Sequence, residues 1–169
     1  MMKDKILEKL SNLFKEDIVE FLEFRGELTI VVKREKIVEV CKFLKEDPDL
    51  SFDYLVDICG VDYYREKNRF AVVYNLWSLK NKFRLRLKVY VDEPDLVVPS
   101  VTSVWSAANW HERETFDMFG IKFSGHPDLR RIYMPEDFEY YPLRKDFPLQ
   151  GIPGSIPLPG REKVKIQQG

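Results

Sequence analysis

The feature that most constrains this chain is the uneven placement of its structure-breaking residues. Residues 125–169 hold seven of the ten prolines and five of the eight glycines, while residues 1–124 carry nearly all of the periodic apolar pattern. Proline lacks a backbone donor and glycine costs entropy to order, so the C-terminal quarter cannot supply long helices or strands. The sequence therefore divides into an α/β domain over residues 1–124 and an extended, partner-binding tail over residues 125–169.

Within the first part the apolar residues recur at two periods. Ile6, Leu7, Leu10, Leu13 and Phe14 fall at helical spacing, as do Ile37, Val40, Cys41 and Leu44 ahead of Pro48. Residues 17–24 and 27–33 predict a hairpin with Gly26 in its turn. Residues 53–62, 69–77 and 83–91 predict three more strands, with Phe70, Val72, Tyr74 and Leu76 on one face and Leu85, Leu87, Val89 and Val91 on one face. A helical stretch runs from about Ser100 to Phe119. The predicted fold is α+β. It is a two-layer sandwich of a mixed sheet with helices, in the order α-β-β-α-β-β-β-α, followed by an extended Pro-rich C-terminal tail.

Charge narrows the function classes. Lys plus Arg total 27 and Asp plus Glu 28, a net charge of −1, so the basic excess typical of a polyanion binder is absent. One strand face does carry Arg84, Arg86 and Lys88 beside Tyr90, the makings of an RNA platform, but the neutral balance favours a solvated outer face. Two cysteines, Cys41 and Cys59, and two histidines, His111 and His126, are scattered. An iron–sulfur cluster or structural zinc takes about four such ligands, so free thiols in a reducing compartment are expected. No stretch approaches the ~20 apolar residues of a membrane span, and no apolar signal-peptide core is seen. A soluble, cytoplasmic chain is expected, meeting a membrane only through a partner.

The tail is apolar without being periodic. It carries Leu129, Ile132, Tyr133, Met134, Phe138, Tyr140, Tyr141, Leu143, Phe147, Leu149, Ile152, Ile156 and Leu158, more than a disordered linker keeps. Ordering a chain costs about 1–2 kcal/mol per residue in backbone entropy. A small two-layer domain has little apolar surface to spare for that, which favours a tail lying on a partner; a tail that wraps its own domain is the alternative.

The densest cluster of chemistry-bearing residues is Trp105–Gly120. On a helix Arg113 and Asp117 are four apart and face each other, and Glu112 shares a face with Ala108, Phe116 and Phe119. Charges interleaved with aromatics in this way are expected to meet Arg or Lys in a partly dry contact. His111-Glu112 opens like a zinc-protease motif, but the second His would fall at Thr115. Glu112 and Glu114 could serve as an acid–base pair, yet residues two apart point to different sides of a helix. His126 is expected to be a hydrogen-bonding loop residue. Arg130-Arg131 and Arg144-Lys145-Asp146 could clamp a phosphate or carboxylate, or pair with acids on a neighbouring chain. No G-x-G-x-x-G, Walker loop or Cys–His nucleophile pair is present. A free-standing hydrolase using Glu112, Glu114, His111 and His126 is the rival class.

Residues 105–147 resemble the C-subunit of NADH:quinone oxidoreductase, respiratory complex I, the thirty-kilodalton subunit family. The resemblance is carried by Glu112-Arg113-Glu114-Thr115-Phe116-Asp117-Met118-Phe119-Gly120-Ile121, by Phe123, by Gly125-His126-Pro127, by Leu129-Arg130-Arg131-Ile132 and by Pro142-Leu143-Arg144-Lys145-Asp146-Phe147-Pro148, with Trp105 and Trp110 as a lead-in. One departure is Tyr140-Tyr141, where many members carry Gly-His.

The resemblance implies a non-catalytic structural subunit in the peripheral arm of a proton-pumping complex, on the cytoplasmic face of the inner membrane. It would brace the quinone-site subunit and the adjacent iron–sulfur subunits, with FMN and iron–sulfur clusters carried by other chains and no nucleic acid bound. Glu112, Arg113, Glu114, Asp117, Phe119, His126, Arg130, Arg131, Arg144, Lys145, Asp146 and Phe147 are then the expected partner-docking residues. No catalytic, cofactor-binding or metal residue is expected. Similar chains occur in membrane-bound hydrogenases and formate hydrogenlyase, which is the alternative assembly.

Overall fold

The computed structural model describes residues 2–64, 67–149 and 151. Helix α1 (Met2–Leu13) leads into β1 (Ile18–Phe24) and β2 (Glu27–Val32). Arg25 and Gly26 join these strands, both with positive φ, at 51° and 80°, the paired left-handed conformation that a two-residue hairpin needs. Helix α2 (Ile37–Glu46) precedes the long strands β3 (Tyr54–Asp62), β4 (Phe70–Ser78) and β5 (Phe83–Val91). A short strand β6 (Val97–Pro99), helix α3 (Ala108–Phe119) and β7 (Lys122–Ser124) complete the regular structure.

The five long strands form one sheet in the order β1-β2-β5-β4-β3. All neighbours are antiparallel except β2 and β5, which run parallel through the centre, so the sheet is mixed. Its inner face presents Ile30, Leu87, Tyr74 and Ile58 in adjacent strands, each at most 2% exposed. Ile6 and Leu10 of α1, Val40, Cys41 and Leu44 of α2, and Ala108 and Phe119 of α3 cover that face. Burying each large side chain contributes about 1.5–3 kcal/mol. The predicted two-layer α+β architecture is the one observed.

Two details differ from the sequence expectation. The helical stretch begins at Ala108 rather than near Ser100, because residues 101–107 form turns. Strands β6 and β7 pair in parallel beside the main sheet and are too short, at three residues each, to show a period.

The outer sheet face is partly covered: its basic side chains are engaged, while Tyr54 and Val56 of β3 stay exposed beside a groove of about 600 Å³. Arg86 donates to Glu27 and Asn75, Arg84 lies over Trp77, and Lys88 donates to Tyr63 and lies over Tyr90. These long side chains cover Val31, Ala71 and Val73. The basic row is therefore engaged in contacts within the sheet.

Candidate docking site

Helix α3 packs its C-terminal half on β3, and the site is built where that helix ends. Gly60 of β3 makes this possible, since a Cβ there would lie 2.5 Å from the Phe119 ring. Gly120 then stops the helix with a left-handed φ of 78° and donates its N–H to the Phe116 carbonyl. A Cβ on Gly120 would also strike the ring of Tyr141 at 2.6 Å, so the outgoing chain passes directly over the helix terminus.

Asp117 is the first anchor of that passing chain. Its carboxylate is fully buried; Oδ2 accepts from the backbone N–H of Ile132, Tyr133 and Met134 at 2.9, 2.7 and 3.0 Å, and Oδ1 from Arg131 Nη1 at 2.7 Å. Burial alone would push its pKa up, but those amides and the guanidinium outweigh it and hold the carboxyl below the usual range. Arg131 is sandwiched as well, with its guanidinium over Phe138 and Tyr141 and Nη2 donating to the Tyr140 carbonyl.

Arg113 holds the same loop from one helical turn earlier. Its Nε and Nη2 donate to the carbonyls of Arg130 and Arg131 at 3.0 and 3.2 Å, and its guanidinium lies over Trp110. The expected Arg113–Asp117 pair across the helix is thus replaced by two separate grips on one loop, one on its carbonyls and one on its amides. His126 donates from Nε2 to the Asn109 carbonyl, because Nδ1 accepts from the Asp128 N–H.

The second anchor lies at the far end of β3. Arg144 donates from Nε to the Phe119 carbonyl at 2.7 Å, reaches Glu93 with Nη1, and lies over Phe70 and Tyr141. The Lys145 N–H donates to Asp62, which also holds Arg69 and the Tyr64 N–H. Burial opposes ionisation of Asp62, yet these donors take its pKa down to about 2. Asp146 closes the network on Arg69 at 2.9 Å. Asp62, Arg69 and Glu93 are absent from the sequence prediction because nothing in their local pattern marks them.

These contacts correct the expected place of the tail. Residues 125–149 lie on their own domain, held by polar anchors that an apolar-area argument does not count. The remainder of the tail, 152–169, lies outside the described residues. The apolar side chains of the held segment divide. Leu129 and Met134 pack on the core, and Phe138, Tyr140 and Phe147 cluster with ring centroids 5.8–6.4 Å apart. Tyr133, Leu143 and Leu149 face outward, as does Trp110 of α3.

Glu112 corrects a second expectation, that the helix charges meet cations. It is fully buried and faces none. Ser100 Oγ donates to Oε2 and the Val101 N–H to Oε1, each at 2.7 Å. Burial pushes its pKa up to about 7, with those two donors opposing. Glu114 is exposed on another side of the helix, above a groove shared with His111 and Cys59. Glu112, Glu114 and His126 therefore do not converge, and the hydrolase constellation is not assembled. Among the described residues no three His, Cys, Asp or Glu side chains gather as a metal site requires.

Fold and site together define an α+β module that turns its outgoing chain back over one helix end and ties it there. Comparison with known proteins gives the family. The family described as "Respiratory-chain NADH dehydrogenase, 30 Kd subunit" matches residues 30–153. The second C-subunit of NADH-quinone oxidoreductase from Rhizobium meliloti is 62% identical over 126 residues, covering 75% of this chain and 69% of that one. The corresponding C-subunit from Geobacter metallireducens is 51% identical over 154 residues, covering 90% and 93%. Among solved structures, the trypsin-resistant fragment (1-134) of Nqo5 is 37% identical with a TM-score of 0.64, covering 76% of this chain and all of that one. A chain of the archaeal membrane-bound sulfane sulfur reductase shares the fold, with a TM-score of 0.72 at 24% identity over 88% and 87%. The chain belongs to the respiratory-chain NADH dehydrogenase 30 Kd subunit family.

Proposed function

We propose that this chain is a structural subunit of the peripheral arm of a proton-pumping NADH:quinone oxidoreductase. It braces the quinone-site subunit and the adjacent iron–sulfur subunits while electrons pass from NADH to quinone through cofactors on those other chains. Family membership and the names of the relatives support the assembly. The observation that carries the bracing role is the arm at 125–149. Its polar groups are turned inward onto Asp117, Asp62 and Arg113, which leaves Tyr133, Leu143 and Leu149 facing out from a backbone already held in place. A pre-ordered apolar surface binds without the entropy cost of ordering a free tail.

The residues expected to dock then act in two ways. Glu112, Asp117, Phe119, Arg131 and Arg144 shape the surface from beneath. Glu114, Arg130, Lys145 and Asp146 are exposed and meet the partner directly, with Arg113, His126 and Phe147 at the margin. Among the described residues no helix is long and apolar enough to cross a membrane, so attachment to the cytoplasmic face of the inner membrane runs through the complex.

The test is recovery of a tagged full-length chain from membranes in mild detergent. Wild type is expected to bring down cluster-bearing subunits. Tyr133→Ser/Leu143→Ser/Leu149→Ser is expected to lose them at unchanged melting temperature, and full recovery of the complex by that variant would refute the bracing role.

A further inference from the structure

Strand β1 is an edge of the five-stranded sheet, and among the described residues nothing pairs with its outer side. Six of its seven residues are exposed. They include Val19 at 61% and Phe24 at 72%, with Phe21 and Leu22 between them. An edge strand offers a row of unpaired N–H and C=O groups, and only another extended chain can satisfy that row along its length. The apolar side chains on both faces of β1 would be buried by such an addition. A groove of 380 Å³ between the end of α1 and the start of β1, lined by Asn12, Lys15, Val19 and Phe21 among others, can seat a side chain of the added strand.

Charge decides whose strand it is. Residues 16–24 carry four acids, Glu16, Asp17, Glu20 and Glu23, and no Lys or Arg. A second copy of β1 laid antiparallel across the two-fold would set Glu20 diagonal to its own copy when centred on Phe21, and Glu23 diagonal to its own copy when centred on Leu22. Like charges directly opposite are destabilising and diagonal ones, about 7–8 Å apart, still repel without offering an attraction. Lys3 of α1 already pairs with Glu23, so an incoming cation is directed to Glu20. A strand with a basic residue opposite Glu20, and apolar residues beside Phe21 and Leu22, meets the edge without conflict.

We propose that β1 is a β-augmentation site for an extended, basic and apolar segment of another chain, extending the sheet to six strands. The proposal rests on the chain's being an assembled subunit, and it places a second contact on a sheet edge distinct from the arm.

The test compares amide exchange of β1 in the isolated full-length chain and in the complex recovered from membranes. Outward amides of residues 18–24 are expected to exchange about tenfold slower or more in the complex. Glu20→Lys/Phe24→Lys alters exposed side chains only, and is expected to keep the melting temperature while cutting recovery in the complex by a similar factor. Equal exchange in the free and assembled chain, or full recovery of the variant, would overturn the proposal. Concentration-dependent dimers of the isolated chain that this variant abolishes would overturn the choice of a foreign strand. If wild type recovers no other subunit at all, the assembly reading fails first and takes this proposal with it.

Discussion

Glu112→Gln should stabilise this protein at alkaline pH and leave it nearly unchanged in acid. The carboxyl is buried without a cation, and its pKa rises from the usual 4.5 to about 7. A group whose folded pKa is raised binds its proton more tightly in the native state. Its contribution is fully present below the unfolded value, declines as pH rises through the interval up to the folded value, and is flat beyond it. Over that interval the loss is about 3 kcal/mol, since each pKa unit is worth about 1.4 kcal/mol. Cys41 and Tyr74 are the titratable groups coupled to Glu112 from α2 and β4; both are pushed upward by burial and stay neutral throughout.

When protonated, Glu112 can donate to Ser100 Oγ while its other oxygen accepts from Val101. The Gln amide reproduces that pattern at every pH, with Ser100 free to donate to Thr102, 2.8 Å away. The assay is thermal or urea unfolding of both proteins at about pH 5 and about pH 8. About 2.5 kcal/mol of that loss falls between these two pH values, so at roughly 2–4 °C per kcal/mol for a domain of this size the difference in melting temperature between the two proteins should change by about 5–10 °C. Other titrating groups are common to both proteins and cancel. A difference that is the same at both pH values would refute the reasoning.

Other variants probe the anchors. Asp117→Asn leaves Arg131 without its partner, a loss of about 3–5 kcal/mol for a broken buried pair; tryptic cleavage after Arg130 and Arg131 should accelerate, and an unchanged rate would show that the loop is held by something else. Gly120→Ala forces a side chain into a left-handed φ and against Tyr141, so a destabilisation of at least about 1 kcal/mol is expected on thermal unfolding; a neutral result would mean that the arm does not cross the helix end.

The legible parts of this fold are those with a local cause. Alternating burial in β5 follows from a period of two, and the end of α2 follows from Pro48 two residues on. The parallel pairing of β2 with β5 has no local cause, because it depends on where the chain returns after β3 and β4. The grip on the arm is hidden for a different reason. Arg113 and Asp117 carry the i, i+4 spacing of a helix pair, but a backbone loop within reach offers each of them several better-aligned partners than the other's single charge. Three amides and a guanidinium on Asp117 outweigh a lone surface pair, which is worth about 0–1 kcal/mol. The acids and arginines are legible as a cluster, and their partners are not, because those partners are main-chain groups that every residue carries.

That same fact explains why the signature residues read like a catalytic cluster and are arranged as none. Backbone carbonyls and amides in an irregular segment have no ladder to satisfy them, so a segment without helix or strand needs charged side chains wherever it must stay in place. Arg113 supplies donors to the carbonyls of Arg130 and Arg131, Asp117 and Asp62 supply acceptors to amides at the two ends of the 132–145 stretch, and Arg144 reaches from the arm back to the Phe119 carbonyl. A charged anchor suits this task because one ionised group can hold several backbone groups at once: Asp117 holds three, and Arg113 and Asp62 two each. Once the backbone is satisfied from within, the apolar side chains of the arm need not turn inward to keep it ordered. Tyr133 and Leu143 can therefore stand out at 61% and 56% exposure on a fixed frame, the arrangement required of a surface whose partner is another protein.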